Sequence, residues 1–459
     1  MRIPFPSGRR ERDGTALVIV LWIALGLVSI ALYFGNACAL ELRAADHRVA
    51  SIEALHALDG AARYAMYVLT NTDQPGVLPA PTTYQREAVA VGDARFWFLG
   101  RDTTAVQSAS PDKPFFGLVD ECSKLNLNTA TVAMLTNLPG MTPELAAAIV
   151  DWRDADGDLT DGGAEDDFYL RLNPPYHCKN APFESIEELR LVAGADMEVL
   201  FGEDTNLNGV LDPNENDGPG SLPADNRDGH LDAGILEHVT VHSRQPTALP
   251  DGTALVNVGT AGALQRVAPL LQEHLGSDRA NQILGSLGGG PGGGNNTTFR
   301  SVLEFYIRSR MTANEFAQIE TNLMASAAQN APAPVNVNTA SETVLACIPG
   351  IGIDNASSLV AFRLANADRL DSLAWVAEAL PRANALQAGP YLAGHSYQYS
   401  ADVVAVGHNG HGYRRVRYVI DTSGTTARIV ARRDLGHLGW ALGREVREKQ
   451  QLLLTQNQR

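Results

Sequence analysis

The sequence predicts an α+β fold in which a long N-terminal helix packs on a small antiparallel sheet, with helical regions inserted between the strands. Three observations predict it. An apolar run near the N-terminus continues as an amphipathic helical pattern to about residue 69. Strand patterns follow it and return at the C-terminal end of the chain. Between these two groups of strands, one helical motif occurs twice in the same register.

The first element is a predicted membrane span. Residues 15–34, TALVIVLWIALGLVSIALYF, carry no charge, and as a helix they are about 30 Å long, enough to cross a bilayer. We predict a leader at 1–14, a single-pass inner-membrane helix at 15–35 and a periplasmic stem helix at 36–70. The leader is basic, which places the N-terminus in the cytoplasm and the bulk of the chain in the periplasm; its arginines are Arg2, Arg9, Arg10 and Arg12.

The apolar run is longer than that of an ordinary secretory signal, and the expected cleavage lies before it, at the Gly14–Thr15 bond. Cleavage there keeps the span in the mature protein. This arrangement resembles the class III leader of type IV pilins and type II secretion pseudopilins. Those proteins usually carry Glu at the fifth mature position, where the carboxylate pairs with the amine of a neighbouring subunit. Here that position is Ile19, which suits a subunit at a filament tip; a simple signal anchor is the alternative.

Composition narrows the class of protein. The 459 residues suffice for about two or three domains, and the formal net charge of −16 argues against nucleic-acid binding. The acidic balance favours loops that bind divalent cations. None of the four cysteines has the C-x-x-C spacing of a metal site. In an oxidising compartment we expect Cys122 and Cys178 to form a disulfide that contributes about 4 kcal/mol, and Cys347 to be a small buried apolar residue.

Two separate segments predict the sheet. After the turn signals that end the stem, residues 88–99 and a segment beginning at Phe115 have strand patterns, so 71–124 is assigned to the sheet. A hairpin turn is predicted at 408–411, because its Asn-Gly pair favours positive φ. The segment 395–435 completes the sheet before a tail at 436–459, with strands expected at 397–406, 413–421 and 427–432.

An internal repeat occupies the middle of the chain. Residues 125–153, LNLNTATVAMLTNLPGMTPELAAAIVDWR, match 335–363, VNVNTASETVLACIPGIGIDNASSLVAFR, at a constant offset of 210 residues. Each copy predicts a helix that starts at Asn-Thr, a Pro-Gly turn and a second helix, and resembles a helix-hairpin-helix (SAM-like) unit. The predicted domains are the two helix-hairpin-helix domains at 125–200 and 331–394, calcium-binding loops at 201–237, and a connecting region at 238–330 with a Gly-rich loop at 286–298.

The sharpest local motif is DTNLNGVLDPNE at 204–215, which has the spacing of an EF-hand calcium loop. A hard cation needs six to eight oxygens, and Gly209 at position 6 permits the sharp turn that lets alternate residues converge. No exiting helix is predicted, so we expect a calcium loop without a full EF-hand pair. The alternative is an acidic solvated turn. The predicted ligands at positions 1, 3, 5, 7, 9 and 12 are Asp204, Asn206, Asn208, the carbonyl of Val210, Asp212 and Glu215.

Two further acidic segments are weaker. Residues 225–232, DNRDGHLD, repeat part of the loop pattern but have Ala224 and Ile235 where the acids of positions 1 and 12 belong. We expect Asp225, Asp228 or Asp232 to serve a paired or second ion. The segment 154–167 has many acids without fixed ligand spacing, so a solvated loop is as well supported as a site. Calcium in these loops is predicted to be structural, with dissociation constants of about 10⁻⁴ to 10⁻³ M.

The sequence argues against catalysis and against DNA binding. It has no G-x-S-x-G, P-loop or H-E-x-x-H motif, and we predict that the protein is not an enzyme. Helix-hairpin-helix units that bind DNA hold phosphate through turn amides and nearby cations. The turns here carry Glu144 and Asp354, and the first copy has no Lys or Arg between Lys124 and Arg153. The two units are therefore expected to be packing scaffolds.

Taken together, the leader, Ile19, the LNLNTA and VNVNTA motifs and the stretch GAEDDFYLRLNPPY…NAPFESIEELRLV at 163–192 resemble the general secretion pathway protein K family. The resemblance implies a minor pseudopilin of the type II secretion system, cut and N-methylated at Thr15 by the prepilin peptidase. It implies assembly with the minor pseudopilins I and J at the pseudopilus tip, and no nucleic-acid partner. Two alternatives are a membrane-anchored DNA-uptake protein and a calcium-dependent surface adhesin.

Overall fold

The computed structural model of the protein describes residues 13–101, 113–288, 297–325 and 333–449. The arginines of the predicted leader, the centre of the predicted Gly-rich loop and residues 450–459 of the predicted tail lie outside these ranges.

Within these ranges the helices are long at the N-terminus and short in the inserted regions. They are α1 Asp13–Thr70, α2 Val132–Leu135, α3 Pro143–Arg153, α4 Asp166–Tyr169, α5 Met197–Phe201, α6 Ala263–Leu275, α7 Ser277–Ser286, α8 Val302–Ser309, α9 Ala313–Ala317, α10 Glu342–Ala346, α11 Gly352–Ala365, α12 Ala374–Ala379 and α13 Arg382–Ala388. The strands are β1 Val89–Val91, β2 Ala94–Leu99, β3 Val119–Asp120, β4 Leu125–Asn126, β5 Val239–Thr240, β6 Val256–Asn257, β7 Leu323–Met324, β8 Val335–Asn336, β9 Leu392–Ala393, β10 Gln398–Val406, β11 Arg414–Asp421 and β12 Arg428–Asp434.

The predicted α+β architecture is confirmed. The main sheet is antiparallel, with the order β1-β2-β10-β11-β12 and β3 paired to β10. The C-terminal strands lie within two residues of their predicted bounds, and Asn409 and Gly410 in the turn between β10 and β11 both have positive φ, as predicted. The single strand expected at 88–99 is instead two strands, because Gly92 has a φ of +62° and turns the chain back on itself.

The helix α1 has two parts with different surroundings. It runs unbroken for 58 residues, and it contains a segment long and apolar enough to cross a membrane. Nearly all of residues 15–49 are exposed. From Ala50 onward one face is buried on the sheet, and alanine recurs on it at helical spacing: Ala50, Ala54, Ala57, Ala61 and Ala65. We call residues 36–70 of α1 the stem.

Small stem side chains and large sheet side chains make the core of this module. Phe96 and Phe98 of β2 face the stem, whereas Trp97 and Leu99 alternate to the opposite side of the sheet and pack against Leu442. Burial of each phenylalanine contributes about 2–3 kcal/mol. The alanines let the helix lie close to the sheet, so the stem and the terminal strands form one module despite their separation in sequence.

The two copies of the repeat have the same local structure. In each, a short strand leads through an Asn-Thr turn into a helix, a Pro-Gly turn and a second helix: β4, α2 and α3 in the first copy, β8, α10 and α11 in the second. The arginine that ends the motif donates to two carbonyls of the opening turn. Arg153 donates to Leu127 and Ala130, and Arg363, 210 residues later, donates to Val337 and Ala340. Burial lowers the pKa of each arginine to about 10.

A third, degenerate copy lies in the region predicted to be a connection. Residues 256–261 have the sequence VNVGTA, and Asn257 Oδ1 accepts from the Gly259 N–H at 2.8 Å, as Asn126 accepts from Asn128 at 2.8 Å. Its strand β6 pairs in parallel with β7, as β4 does with β5 and β8 with β9. Arg266, which follows in α6, donates to the carbonyls of this turn. The inserted region is therefore built from three related units.

The predicted disulfide between Cys122 and Cys178 is not formed, and both residues are buried free thiols. Cys122 lies beside β10, where its Sγ is 3.5 Å from Gln398 Oε1. Cys178 lies over the first repeat, where its Sγ is 3.6 Å from the Asp151 carbonyl. Each thiol is thus packed into a different neighbourhood. Burial raises the pKa of Cys178 to about 12 and raises that of Cys122 well above its usual value, so burial disfavours the reactive thiolate at both positions.

Candidate functional site

The predicted calcium loop follows α5, and its first residue accepts hydrogen bonds from the turn in the middle of the loop. Asp204 is buried, and its two carboxylate oxygens accept from the backbone N–H groups of Asn208 at 2.9 Å and Gly209 at 2.8 Å. Gly209 has a φ of +74°, the left-handed conformation that the tight turn requires. The spacing of the motif therefore produces the sharp turn at position 6 that the sequence predicts.

The side chains at positions 3, 5 and 9 meet one another. Asn206 Nδ2 and Asn208 Nδ2 donate to the same oxygen, Asp212 Oδ2, at 2.7 and 3.0 Å. Asn208 Oδ1 accepts from the Val210 N–H at 2.7 Å. Asn206 Oδ1 is buried and has no hydrogen-bond partner. A buried acceptor left without a donor is costly, and a cation in the loop would satisfy it.

Glu215 closes the loop from its far end. Its Oε1 accepts from the N–H and the hydroxyl of Thr205 at 2.9 and 2.7 Å, and its Oε2 accepts from the Asp212 N–H at 3.0 Å. Only 2% of its surface is exposed. Burial raises the pKa of Glu215 to about 7, and burial also raises the pKa of Asp204. Two buried carboxylates in one loop therefore lack a compensating positive charge within the loop.

The residues present fit a hard, oxygen-binding cation such as Ca²⁺. The donor set is mixed, because it combines three carboxylates with two amide oxygens and the Val210 carbonyl. Among the residues that the structure describes, no group of three or more His, Cys, Asp or Glu side chains is gathered as a metal-binding cluster. The loop 204–215 does not form such a cluster because Asp204 and Glu215 accept from backbone amides and because two of the six ligand positions are asparagines.

Two arginines attach this loop to the sheet. Arg415 of β11 is fully buried and donates to the carbonyls of Asn206 and Leu207. It also forms a bidentate pair with Asp402 of β10, at 2.9 and 2.8 Å. Although Asp402 is buried, Arg415 and Arg417 hold its pKa well below the usual range. Arg101 donates to the same Leu207 carbonyl at 2.8 Å. The backbone of the loop is therefore fixed to the strands that carry the stem.

The second acidic loop, 225–232, has two of the hydrogen bonds seen in the first loop, and one of the residues that form them lies outside it. Asn226 Nδ2 donates to Asp232 Oδ2 at 3.0 Å, as Asn206 does to Asp212. The Asp232 N–H donates to Glu203 Oε2 at 3.0 Å, the same contact that Glu215 makes with Asp212. Glu203 thus takes the place of the missing acid at position 12. Sequence spacing missed it because it lies before the loop.

The other acids of the second loop are exposed or otherwise engaged. Asp225 is turned away, since its Oδ2 accepts from the N–H groups of Asp217 and Gly218 at 2.8 and 2.6 Å. Asp228 is exposed, and its Oδ1 accepts from the His230 N–H at 2.7 Å. The structure therefore brings Asp232 to Glu203 but keeps the Asp225 carboxylate on the Asp217–Gly218 backbone.

Three acids at the end of α3 and in the segment 154–167 each have an oxygen without a donor. Asp151, Asp154 and Glu165 each have one carboxylate oxygen that is buried and without a hydrogen-bond partner. Asp151 is fully buried, and a Cβ on Gly163 would lie 2.0 Å from its Oδ2. Burial, with the neighbouring carboxylates, raises the pKa values of Asp154 and Glu165. The sequence did not single out Asp151, because its position at the end of α3 hides it within a helical pattern.

The predicted processing site lies at the start of α1. Thr15 is exposed and Ile19 has 58% of its surface exposed, within the apolar part of the helix. Gly14 belongs to the same helix.

Comparisons with known proteins converge on one family. Residues 119–201 match the first domain of type II secretion system protein K. Type II secretion system protein K of Klebsiella pneumoniae is 43% identical over 53 residues, 12% of this chain and 16% of the relative. The protein of the same name from Pectobacterium carotovorum is 43% identical over 56 residues, 12% of this chain and 17% of the relative. The chain therefore matches about one sixth of the length of these curated relatives.

A solved structure gives a weaker likeness. The crystal structure of the GspK-GspI-GspJ complex from the enterotoxigenic Escherichia coli type 2 secretion system aligns over 86% of this chain and 99% of the compared chain. The TM-score is 0.39 at 11% identity.

Proposed function

We propose that this chain, which carries the first domain of type II secretion system protein K at residues 119–201, is a minor pseudopilin of that system. The single observation that carries the proposal is this family match, on a chain that also has an N-terminal apolar helix packed onto an antiparallel sheet. In this role the protein helps to initiate the pseudopilus and to export folded proteins across the outer membrane.

The N-terminal segment supports a membrane-anchored precursor. The prepilin peptidase cuts the Gly14–Thr15 bond and methylates Thr15, so that 15–35 anchors the mature chain in the inner membrane with its bulk in the periplasm. Ile19 supports a place at the tip, because without a carboxylate the subunit has no charge to pair with the amine of a subunit ahead. Mass spectrometry of the purified full chain should find a methylated Thr15 at its N-terminus; an intact leader would contradict the processing.

The partners follow from the same role. We expect the chain to bind the minor pseudopilins I and J, with the inserted region blocking a further subunit above it. Apart from β3, residues 119–201 lie in that region, so the family match covers part of the surface that distinguishes this subunit from a small pilin.

The repeats are proposed to be helix-hairpin-helix packing scaffolds. A Cβ on Gly350, in the turn of the second copy, would lie 2.6 Å from the Asn384 carbonyl oxygen and 2.9 Å from the Ala388 nitrogen. That turn therefore packs on α13 of its own chain, where turn amides that bind DNA would have to face solvent. Neither alternative, DNA uptake or surface adhesion, is favoured by the family match.

Structural calcium completes the proposal, at two places in the inserted region. The first is the loop 204–215, with the ligands given above and the buried Asn206 Oδ1 as the group that lacks a donor. The second is the loop 225–232, where Asp225, Asp228 or Asp232 would serve a paired or second ion and Asp232 lies against Glu203. Bound Ca²⁺ would supply positive charge to buried carboxylates and fix the geometry of the loops, with chelation loosening the region.

Calcium titration of the metal-free full chain tests this assignment. Asp204→Ala should remove binding at 204–215 and leave the other event, whereas Asp232→Ala should do the reverse. Glu198→Gln, at an exposed acid on α5, is the control and should bind as the wild type does. Equal calcium binding in all four proteins would contradict the assignment.

A genetic experiment tests the secretion role. The full chain, expressed in its own host after deletion of the chromosomal copy, should restore export of type II substrates to the medium. Normal export by the deletion strain itself would refute the role. Export that is lost on deletion and not restored by the full chain would also count against it.

A further inference from the structure

The hairpin between β10 and β11 packs against one turn of the stem helix, at the point where the stem leaves the globular module. A Cβ on Gly407 would lie 2.2 Å from the Ala50 carbonyl oxygen, and one on Gly412 would lie 2.4 Å from the Ala50 carbonyl carbon. Any side chain larger than hydrogen at position 407 or 412 would overlap the backbone of Ala50. Toward the N-terminus of Ala50 the helix is almost wholly exposed, so this hairpin is the last contact that sets the direction of the emerging stem.

At that contact one histidine lies between two carboxylates of the stem. His408 Nδ1 is 2.7 Å from Glu53 Oε2, and its Nε2 is 2.8 Å from Asp46 Oδ1. The two acids are seven residues apart on the helix and therefore lie on one face. The His408 N–H also donates to Glu53 at 3.1 Å.

This geometry selects the charged imidazole. A neutral imidazole has one N–H, so one of its nitrogens would present a lone pair to a carboxylate. The imidazolium donates from both nitrogens, and charge-assisted bonds of this length are stronger than neutral ones. We infer that the 407–412 hairpin is a pH-sensitive clamp on the stem, closed when His408 is protonated between Asp46 and Glu53 and loosened when it loses that proton.

The other charged groups at the clamp modulate it. His411 of the hairpin has its Nε2 3.9 Å from Asp46 Oδ2, and its ring packs at 4.2 Å on the ring of His47 from the stem. Arg414 donates to Ser51 Oγ at 2.7 Å. Burial and the neighbouring His47 lower the pKa of His411, against the opposing attraction of Asp46.

The sign of the effect follows from the direction of each pKa. Hydrogen bonds to Asp46 and Glu53 raise the pKa of His408, so the contribution of its proton is complete below the usual histidine value and is lost as pH rises through the raised value. Hydrogen bonds from His408 lower the pKa of Asp46, and outweigh burial in lowering that of Glu53. Their contribution is lost as pH falls through the lowered values. The clamp is therefore tightest in mildly acidic solution and loosens on the alkaline side first.

Spin-label distances on the full chain in nanodiscs test the clamp. Cys38 is an exposed cysteine in the exposed part of the stem, eight residues before Asp46, and the other three cysteines are buried. A second label goes on Thr425→Cys, at an exposed site beyond the far end of β11. The distance distribution should be narrow at pH 6 and at least twice as wide at pH 8.5. His408→Gln should be wide at both values, whereas His437→Gln, at an exposed histidine outside the clamp, should respond as the wild type does.

Two results would overturn the inference: equal widths at both pH values in the wild type, or an unchanged pH response in His408→Gln. Circular dichroism shows whether the variant is folded. If His408→Gln does not fold, Glu53→Gln carries the test, because it removes one of the two negative charges beside the imidazolium and should widen the distribution at pH 6. A pH-independent Glu53→Gln distribution as narrow as the wild type at pH 6 would also refute the clamp. The inference does not depend on the secretion role.

Discussion

Replacing Glu215 by Gln in the metal-free protein should change stability in opposite directions at low and high pH. In the folded chain, burial raises the pKa of Glu215 from an ordinary 4.5 to about 7. The raised value means that the neutral acid is favoured by folding, and that this stability is lost as pH rises from the unfolded value through the folded one. The difference between the folded and the ordinary pKa corresponds to about 3 kcal/mol of free energy of unfolding lost by pH 8.

The substitution also has a cost that does not depend on pH. Glutamine keeps one oxygen for Thr205, but its amide nitrogen cannot accept from the Asp212 N–H, which loses its partner. Loss of that hydrogen bond costs about 1 kcal/mol. Glu215→Gln should therefore be about 1 kcal/mol less stable than the wild type at pH 4.5 and about 2 kcal/mol more stable at pH 8.

Urea unfolding with chelator present, followed at both pH values, measures the difference. Glu198→Gln, the exposed acid on α5, should leave stability unchanged at both. Addition of Ca²⁺ at 10 mM should stabilise the wild type by about 1–3 kcal/mol for a dissociation constant of 10⁻⁴ to 10⁻³ M, and Glu215→Gln by much less. A Glu215→Gln chain that is no more stable at pH 8 than at pH 4.5, relative to the wild type, would refute the reasoning about the buried acid.

Three further substitutions test the packing. Arg415→Met leaves the buried Asp402 carboxylate with Arg417 as its one cation and the Asn206 carbonyl without its donor, whereas the Leu207 carbonyl keeps Arg101. The substitution should cost about 3 kcal/mol in urea unfolding and speed hydrogen exchange in 204–215. Arg363→Met removes both bonds to the opening turn of its repeat and should cost about 2–4 kcal/mol, measured in the same way; a loss below 1 kcal/mol would contradict its role. Gly412→Ala forces a Cβ against Ala50 at a φ of +71° and should lower the melting temperature, whereas Gly424→Ala, in an open turn, should not.

The parts of the fold that follow a simple period were predictable. The strand patterns at 397–406, 413–421 and 427–432 appear as β10, β11 and β12, and the long helical pattern of the stem appears as one helix. The two best copies of the repeat could be found from their constant offset of 210 residues. Local hydrogen bonds require the Asn and Arg of each copy, so both copies have the same residues at these positions. The third copy escaped notice because its arginine lies in α6 and it lacks the Pro-Gly turn.

The candidate site was predictable only where the ligands are local. Spacing alone gave the loop 204–215, since the turn at Gly209 needs nothing from outside. It could not give Glu203, Asp151 or Arg415, because the contacts they make depend on how separate segments pack. The disulfide prediction failed for the same reason: chain separation says nothing about whether two thiols share a neighbourhood.

Assembly with the other minor pseudopilins tests the central claim most directly. The full chain should be co-expressed with full-length minor pseudopilins I and J of the same organism, purified in detergent through a tag on this chain, and analysed for subunit mass with and without calcium chelator. The account predicts a complex of the three subunits that survives in calcium and loosens in chelator. A folded, calcium-loaded chain that purifies without I and J would contradict it.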